Sequence, residues 1–264
     1  TGDRLNFGLA AERARALGLK VSMVIVEDDI AIPDNPRPRG VAGTLFVHKI
    51  AGAVSAAGGM LDAVTDAANR AARGVKTIGM SLDTCRVPGS PKETRITAGN
   101  IEVGLGIHGE PGAQHVTFEG AQASVRIAIE RLAPFFPTGK LVALVNNLGS
   151  TTALEMAVVS DELRSSSFGH RISHVIGPAL MMTSLNMHGF SLTFFAAGDE
   201  DLGHLSLPIS LKTWPGTKEF KAPVVVPLPD GLAPLKFEPS HHAGNQDIIL
   251  RCCRVLAEEE SDLN

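Results

Sequence analysis

The chain has 264 residues, of which 44% are hydrophobic and 20% charged, and its formal net charge is -4 at pH 7. This composition is typical of a folded protein with a sizeable core, and it offers no basic surface for nucleic acid. The apolar runs are too short to span a membrane, no signal peptide is recognised, and the three cysteines form neither a disulfide framework nor a C-x-x-C metal pattern. We therefore expect a cytoplasmic protein that binds neither nucleic acid nor a membrane.

The first segment of the chain predicts a helix and then a strand. Apolar residues recur at helical spacing over Arg4–Leu17, and Asp3 just before them is a candidate N-cap. The apolar, β-branched run Lys20–Val26 predicts a buried parallel strand. Three carboxylates follow at 27–29, and a loop or helix cap is the commoner role for such a group, so we predict no metal site.

The next elements continue an α/β pattern. Amphipathic periodicity predicts helices over Thr44–Ala57 and Met60–Arg73, and Val75–Leu82 predicts a strand. The order helix, strand, helix, helix, strand is typical of the later part of an α/β domain. We therefore expect residues 1–83 to form the C-terminal part of a first α/β subdomain that lacks its opening strands.

A second subdomain is expected over residues 84–207. Thr94–Ile107 predicts paired strands with a turn at 98–100, and Phe118–Leu132 predicts a helix. Lys140–Val145 predicts a buried strand that places Asn146 and Asn147 at its carboxyl end, where α/β proteins place ligand-contacting loops. The two asparagines suit a substrate contact and a turn equally well, and the sequence leaves both open.

The rest of the chain predicts the end of this subdomain and a change of composition. Thr151–Ser165 predicts a helix, and His170–Ile176 and Phe190–Ala196 predict the last strands. Seven prolines punctuate residues 208–239, which predicts a Pro-rich linker over 208–244. Residues 245–264 then begin a helical domain. The expected fold class is thus α/β, with two subdomains whose mixed sheets are flanked by helices.

One histidine, His108, has four glycines close to it in the sequence. His108 lies in the stretch Ile101–Gln114, with glycines at positions 104, 106, 109 and 112. Glycine permits positive φ and close approach of other groups to the backbone, which would leave an imidazole open to a small ligand. A strand over 100–107 followed by a Gly-Glu-Pro-Gly turn explains the same residues without any chemistry.

Five stretches together resemble the dihydroxyacetone kinase family. The segment around His108 reads G-x-G-I-H-G-E-P-G and is similar to the family segment that carries the substrate-binding histidine. Four other stretches agree in order and spacing: Thr1–Phe7, Val26–Asp29, Arg39–Thr44 and Leu144–Gly149. The resemblance covers about residues 1–200 and implies the family's substrate-binding K-domain fold.

The resemblance implies catalytic and substrate-binding roles for two residues. His108 matches the histidine that holds the triose as a covalent hemiaminal, and Asp3 matches the acid/base that faces the bound ketone. Dihydroxyacetone or glyceraldehyde is the implied substrate, and glycerol metabolism is the implied context. A neutral imidazole can add to a carbonyl when an acid protonates the oxygen, so the implied chemistry is sound.

The Pro-rich linker implies the single-chain, ATP-dependent type of this family. In that type, ATP and Mg²⁺ are bound by a following helical nucleotide-binding L domain, which this chain does not include, and the protein is a homodimer. The G-G-G-S-G-H-E-P segment of the family, with its second catalytic histidine, also has no counterpart here. We therefore expect this chain alone to be an incomplete and inactive fragment of the kinase.

Two other functions are compatible with the sequence. The chain fits a non-catalytic ketone-binding or regulatory relative of the same fold, because it lacks that second histidine. Some eukaryotic members also cyclise FAD, and nothing in the sequence decides that activity. An unrelated nucleotide-binding domain is disfavoured, because G-x-G-x-x-G at 104–109 is followed by Glu-Pro-Gly and not by a helix.

Overall fold

The structure is a computed structural model that describes residues 2–107 and 110–222. Its helices are α1 (Gly2–Ala16), α2 (Thr44–Ala56), α3 (Leu61–Gly74), α4 (Ala121–Leu132), α5 (Ala153–Ser165) and α6 (Asp199–Ser206). Its strands are β1 (Val75–Ser81), β2 (Asn100–Val103), β3 (Gln114–Thr117), β4 (Leu141–Asn147), β5 (Ile172–Leu180), β6 (Gly189–Phe195) and β7 (Thr217–Glu219). The predicted linker beyond residue 222 and the predicted helix within 245–264 lie outside the described residues.

The seven strands form one mixed sheet in the order β3-β2-β1-β6-β4-β5-β7. Only β4 and β5 run parallel, and every other neighbouring pair is antiparallel. All seven residues of β1 except Lys76, and every residue of β4 and β6, are buried. Continuous apolar runs form such strands because both faces of the sheet are covered.

Helices cover the two faces of the sheet, and alternate residues of each strand meet different helices. Leu141, Ala143 and Val145 of β4 pack in one apolar core with α4 and α5. Val142 and Leu144 pack in a second core with α2, α3 and α6. This period of two is the geometry of a strand. The α/β class with a mixed sheet and flanking helices is confirmed.

The predicted boundary at 83/84 falls between β1 and β2, which are neighbours in the same sheet. The described residues, 2–107 and 110–222, belong to one compact unit. Residues 208–222, which the sequence placed in the linker, include β7 paired with β5. A three-residue edge strand carries too little periodicity to be found in a Pro-rich stretch.

Two local predictions are wrong. Lys20–Val26 forms no strand, and the side chains of Met23 and Ile25 are 39% and 46% exposed. Only a single parallel bridge forms nearby, between Asp29 and Thr77. The turn predicted at 98–100 does form, closed by the Asn100 N–H donating to the Thr97 carbonyl at 3.1 Å. The strand pair predicted within Thr94–Ile107 is wrong, because residues 94–97 form no strand and β2 pairs instead with β3. Residues 104–113 therefore connect two paired antiparallel strands, and we name them the β2–β3 connection.

Within the described residues, no helix combines the length and the apolar character needed to cross a membrane.

The contribution of the second core to stability can be tested by substitution. Leu144 is fully buried in the central strand β4, whereas Leu154 on α5 is 76% exposed. We expect Leu144→Ala to lower the free energy of unfolding by about 2–5 kcal/mol, because it leaves a cavity. Leu154→Ala should change it by less than about 0.5 kcal/mol. Urea unfolding measures both, and equal effects would contradict this account of the core.

Candidate functional site

The β2–β3 connection begins at a glycine that three parts of the chain contact. The N–H of Gly104 donates to the Gly79 carbonyl of β1 at 2.7 Å, and its own carbonyl accepts from Arg39 Nη2 at 2.7 Å. Its φ is 78°, and a Cβ built on it would collide with the methyl of Ala31. Both the backbone conformation and the close packing require glycine here.

Arg39 links this connection to the buried segment 28–31. Its Nε donates to Asp29 Oδ2 at 2.6 Å, and the other oxygen of Asp29 accepts from the Ala31 N–H at 2.9 Å. A Cβ on Gly106 would collide with the Glu110 carboxylate and lie 2.8 Å from Arg39 Nη1. The glycines at 104 and 106 are thus explained by close contacts within the protein, and not by open space for a ligand.

Burial dominates the electrostatics of segment 28–31. It raises the pKa of Asp29, although the charge of Arg39 acts in the opposite direction. It also raises the pKa of Asp28, whose oxygens accept from the N–H groups of Val41 and Gly43 at 2.7 Å each. Asp28 therefore holds the backbone just before α2, whose N-cap residue Gly43 has no side-chain cap. Of the loop and helix-cap roles predicted for this group, Asp28 has the loop role.

A second charged cluster holds the far end of the connection. Arg95 donates to both carboxylate oxygens of Glu102, from Nε and Nη2, at 3.0 Å each. Glu102 Oε1 also accepts from the Gly112 N–H at 2.9 Å and lies 3.2 Å from His115 Nε2. Burial acts to raise the pKa of Glu102, but the hydrogen bonds from Arg95, Gly112 and His115 outweigh it and the pKa is lowered.

The structure describes Asp3 but not His108, the other predicted site residue. Asp3 lies inside the first turn of α1 and is exposed, so it is not the N-cap residue before the helix. Its neighbour Arg4 forms an ion pair with Glu27, which immediately precedes segment 28–31. His108 lies outside the described residues. The pairing of Asp3 with His108 therefore stays a prediction.

The two asparagines at the end of β4 are held by structural contacts. Asn146 donates to the Met182 carbonyl at 2.8 Å and to Ser191 Oγ at 3.1 Å. Asn147 donates to the Thr151 carbonyl at 2.6 Å. Both side chains are buried, and their amide oxygens accept from backbone N–H groups. Of the two roles left open by the sequence, the turn-holding one accounts for both residues.

Sequence reasoning missed Arg39, Arg95 and Glu102 as parts of this region. The available signal was an acid between two apolar residues of a predicted strand, as at Glu102, because such an acid needs a partner when it is buried. Its partners are seven to thirteen residues away along the chain. No periodic pattern identifies them.

Metal binding has no support in this part of the chain. Among residues 2–107 and 110–222, no three His, Cys, Asp or Glu side chains are grouped as ligands.

Comparison with known proteins gives one family. The model of the Dak1 domain matches residues 1–212. The chain is 40% identical over 266 residues to the dihydroxyacetone kinase of Citrobacter freundii, covering 100% of this chain and 48% of that protein. It is 37% identical over 229 residues to the dihydroxyacetone-binding subunit DhaK of the PTS-dependent dihydroxyacetone kinase 1 of Listeria innocua, covering 81% of this chain and 68% of that subunit.

Solved structures agree with the sequence comparison. The Citrobacter freundii kinase in complex with AMP-PNP and Mg²⁺ superposes with a TM-score of 0.83 at 40% identity, over 90% of this chain and 44% of that one. A dihydroxyacetone kinase operon co-activator, Dha-DhaQ, superposes with a TM-score of 0.74 at 29% identity, over 81% of this chain and 69% of that one. This chain thus spans about half the length of the kinase and most of the co-activator.

The packing at Gly104 predicts a test with a matched control. Gly104→Ala adds a Cβ at positive φ and against Ala31, whereas Gly99→Ala adds one at a φ of 81° into open space. The conformational strain costs about 1–2 kcal/mol at either position. We expect Gly104→Ala to lower the free energy of unfolding by about 1–3 kcal/mol more, because it overpacks the site. Equal losses in urea unfolding would refute the contact.

The lowered pKa of Glu102 predicts a pH dependence. Because the folded pKa lies below the usual 4.5, its contribution to stability is complete above pH 4.5 and is lost as the pH falls through the folded pKa. We expect the stability difference between the wild type and Glu102→Gln to be largest at about pH 7 and to shrink towards about pH 3. Urea unfolding across this range measures it, and a constant difference would contradict the prediction.

Proposed function

This chain belongs to the Dak1 domain family, and on that premise we propose that it is the triose-binding portion of an ATP-dependent dihydroxyacetone kinase. The observation that carries the proposal is the 40% identity to a dihydroxyacetone kinase along the whole chain. The family match spans residues 1–212 and so includes both Asp3 and His108. The structure supports it through a fold shared with that kinase and a β2–β3 connection held at both ends.

The proposed chemistry is reversible covalent capture of the ketone. A lone pair of the neutral His108 imidazole adds to the carbonyl carbon of dihydroxyacetone and forms a carbon–nitrogen bond. The carbonyl π electrons move to the oxygen, which takes a proton from the carboxylic acid of Asp3. The second ring nitrogen releases its proton to solvent water, from which Asp3 regains the proton that it gave. The product is a hemiaminal. Glycerol has no carbonyl group and is excluded by this chemistry.

The contacts of α1 support the proposal that Asp3 lies near the β2–β3 connection. Arg4 of α1 pairs with Glu27, and Asp29 two residues later contacts Arg39, which in turn contacts the Gly104 carbonyl. This series of contacts ties the first turn of α1 to the start of the β2–β3 connection. A carboxylate in that turn is exposed to solvent, as an acid/base that meets an incoming substrate must be.

Phosphoryl transfer needs groups that the described residues do not provide. The sequence contains no G-x-x-x-x-G-K-[ST] loop, and among the described residues no three His, Cys, Asp or Glu side chains are grouped as metal ligands. The Citrobacter kinase, whose structure holds AMP-PNP and Mg²⁺, is about twice as long as this chain. We propose that ATP and Mg²⁺ bind to a following L domain of the longer protein, and that they supply the phosphoryl group and neutralise its charge.

A homodimer in the cytoplasm completes the proposal. Leu5, Phe7 and Leu9 of α1 are 70%, 67% and 56% exposed. Apolar side chains concentrated on one short helix are typical of a surface that another polypeptide segment covers. That surface supports an assembly larger than this chain.

A regulatory, non-catalytic function is the second candidate. The observation that favours it is the superposition on an operon co-activator over 81% of this chain. Such a protein would capture or sense a ketone without transferring phosphate. Kinase activity in the full-length protein with ATP and Mg²⁺ separates the two functions, since only the first predicts dihydroxyacetone phosphate as product.

Covalent capture predicts a spectroscopic signature. With dihydroxyacetone labelled with ¹³C at its carbonyl carbon, the bound signal should leave the ketone region and appear among tetrahedral carbons bonded to oxygen and nitrogen. We expect His108→Ala to abolish this protein-bound signal. Asp3→Asn should slow its formation by about 100-fold or more, because the oxygen loses its acid.

The control is glycerol labelled with ¹³C at its central carbon, which should give no bound signal. Unchanged signals in His108→Ala would reject the covalent site.

A further inference from the structure

Glu102 is a buried carboxylate whose contacts reach beyond its own strand. It lies on β2 with its side chain 1% exposed, and it is held by the guanidinium of Arg95. The same carboxylate accepts from the N–H of Gly112, which belongs to the β2–β3 connection. Glu102 therefore joins the start of the hairpin to the last part of the connection between its strands.

The absence of a side chain at Gly112 allows this contact. A Cβ at this position would lie 2.6 Å from Glu102 Cγ and 2.7 Å from the Val103 carbonyl oxygen. Glycine is therefore required for the backbone to approach the carboxylate. Gly112 is partly buried, and its N–H donates to a carboxylate, which makes a stronger hydrogen bond than a neutral acceptor does, so the Glu102 contact stabilises this position of the backbone.

The two ends of the connection are held by groups of opposite charge. At the start, the guanidinium of Arg39 donates to the Gly104 carbonyl. At the end, the carboxylate of Glu102 accepts from the Gly112 N–H. Each charged group is itself fixed by a partner, Asp29 for Arg39 and Arg95 for Glu102. Hydrogen bonds to charged groups are stronger than neutral ones, which favours a single arrangement of the backbone at Gly104 and at Gly112.

We propose that Glu102 is a positioning residue for triose capture: its bond to the Gly112 N–H holds the last part of the β2–β3 connection, the segment in which the sequence places His108. This inference rests on the proposed function, since it assigns Glu102 a role at the same site. Glu102 does not touch the substrate. It acts by restricting the connection before the ketone arrives, and preorganisation of this kind raises affinity without a new contact to the ligand.

The test compares dihydroxyacetone affinity in matched variants, measured by titration of the labelled ketone and its bound ¹³C signal. We expect Glu102→Leu to raise the Kd by about tenfold or more, since Gly112 loses its acceptor. Glu102→Gln keeps an oxygen for the Gly112 N–H and should restore affinity to within about threefold of the wild type. Hydrogen exchange of the Gly112 amide should be faster in Glu102→Leu and close to the wild type in Glu102→Gln.

Asp201 supplies the control. It is a carboxylate with its side chain 8% exposed, and it is likewise held by two guanidinium nitrogens, those of Arg70. It lies on α6 with contacts to α3 and not to the connection. Asp201→Leu therefore removes a comparable ion pair, and we expect it to lower stability while leaving the Kd within about twofold of the wild type.

The outcomes are separable. Equal affinity in Glu102→Leu and the wild type, or an equal loss in Asp201→Leu, would overturn the positioning role. If Glu102→Leu does not fold, Glu102→Asp replaces it, because the shorter side chain keeps the charge but withdraws from Gly112, and the same weakening is expected. Absence of a bound signal in the wild type would instead reject the proposed function itself.

Discussion

One edge of β1 is shared by three segments of the chain, and this sharing brings the candidate site together. Thr77 exchanges backbone hydrogen bonds with segment 28–31, at 2.7 and 3.1 Å. Two residues further along, Gly79 accepts from Gly104, and the last residues of β1 pair with β2. Because a buried strand must satisfy its backbone groups, each segment is fixed in register beside the next. Arg39 can therefore contact both Asp29 and the Gly104 carbonyl.

The two carboxylates nearest to the connection differ in their electrostatics for a clear reason. Asp29 and Glu102 are both buried and both face an arginine. Glu102 receives two bonds from Arg95, one from the Gly112 N–H and a contact from His115, and its pKa is lowered. Asp29 receives one bond from Arg39 and one from the Ala31 N–H and lies near the charge of Glu110, and burial raises its pKa. The number of donors, and not burial alone, decides which carboxylate is more stable as an anion.

The sequence predicted elements that depend on periodicity and missed those that depend on a distant partner. The apolar stripes of α2 and α3 pack in the second core, and β1, β4 and β6 each pair with a strand on both edges. The local pattern of these elements therefore agrees with their environment. Lys20–Val26 has the same apolar pattern as β4 but pairs with no strand among the described residues, and its side chains are half exposed. A run of apolar residues does not indicate whether a neighbouring strand is available for it to pair with.

At the site, the sequence identified the segment but not what holds it. The glycines at 104, 106 and 112 are positions where another group comes close to the backbone. The sequence does not show which group that is, such as Ala31 at Gly104 or Glu102 at Gly112. Such contacts follow from the register of β1 with its neighbours, which periodicity does not encode. The role predicted for His108 rests on a family motif. A motif identifies residue types but not the contacts that hold them in place.

The way the connection is held also explains how one fold serves both kinases and a co-activator. Every contact described for the β2–β3 connection comes from residues 28–115, within the segment matched by the Dak1 model. None of these contacts involves a nucleotide or a metal. Under the proposed function, ketone capture would then be separate from phosphoryl transfer, and a protein that keeps this segment without a nucleotide-binding partner would retain capture alone. The superposition on a co-activator is what this separation leads one to expect.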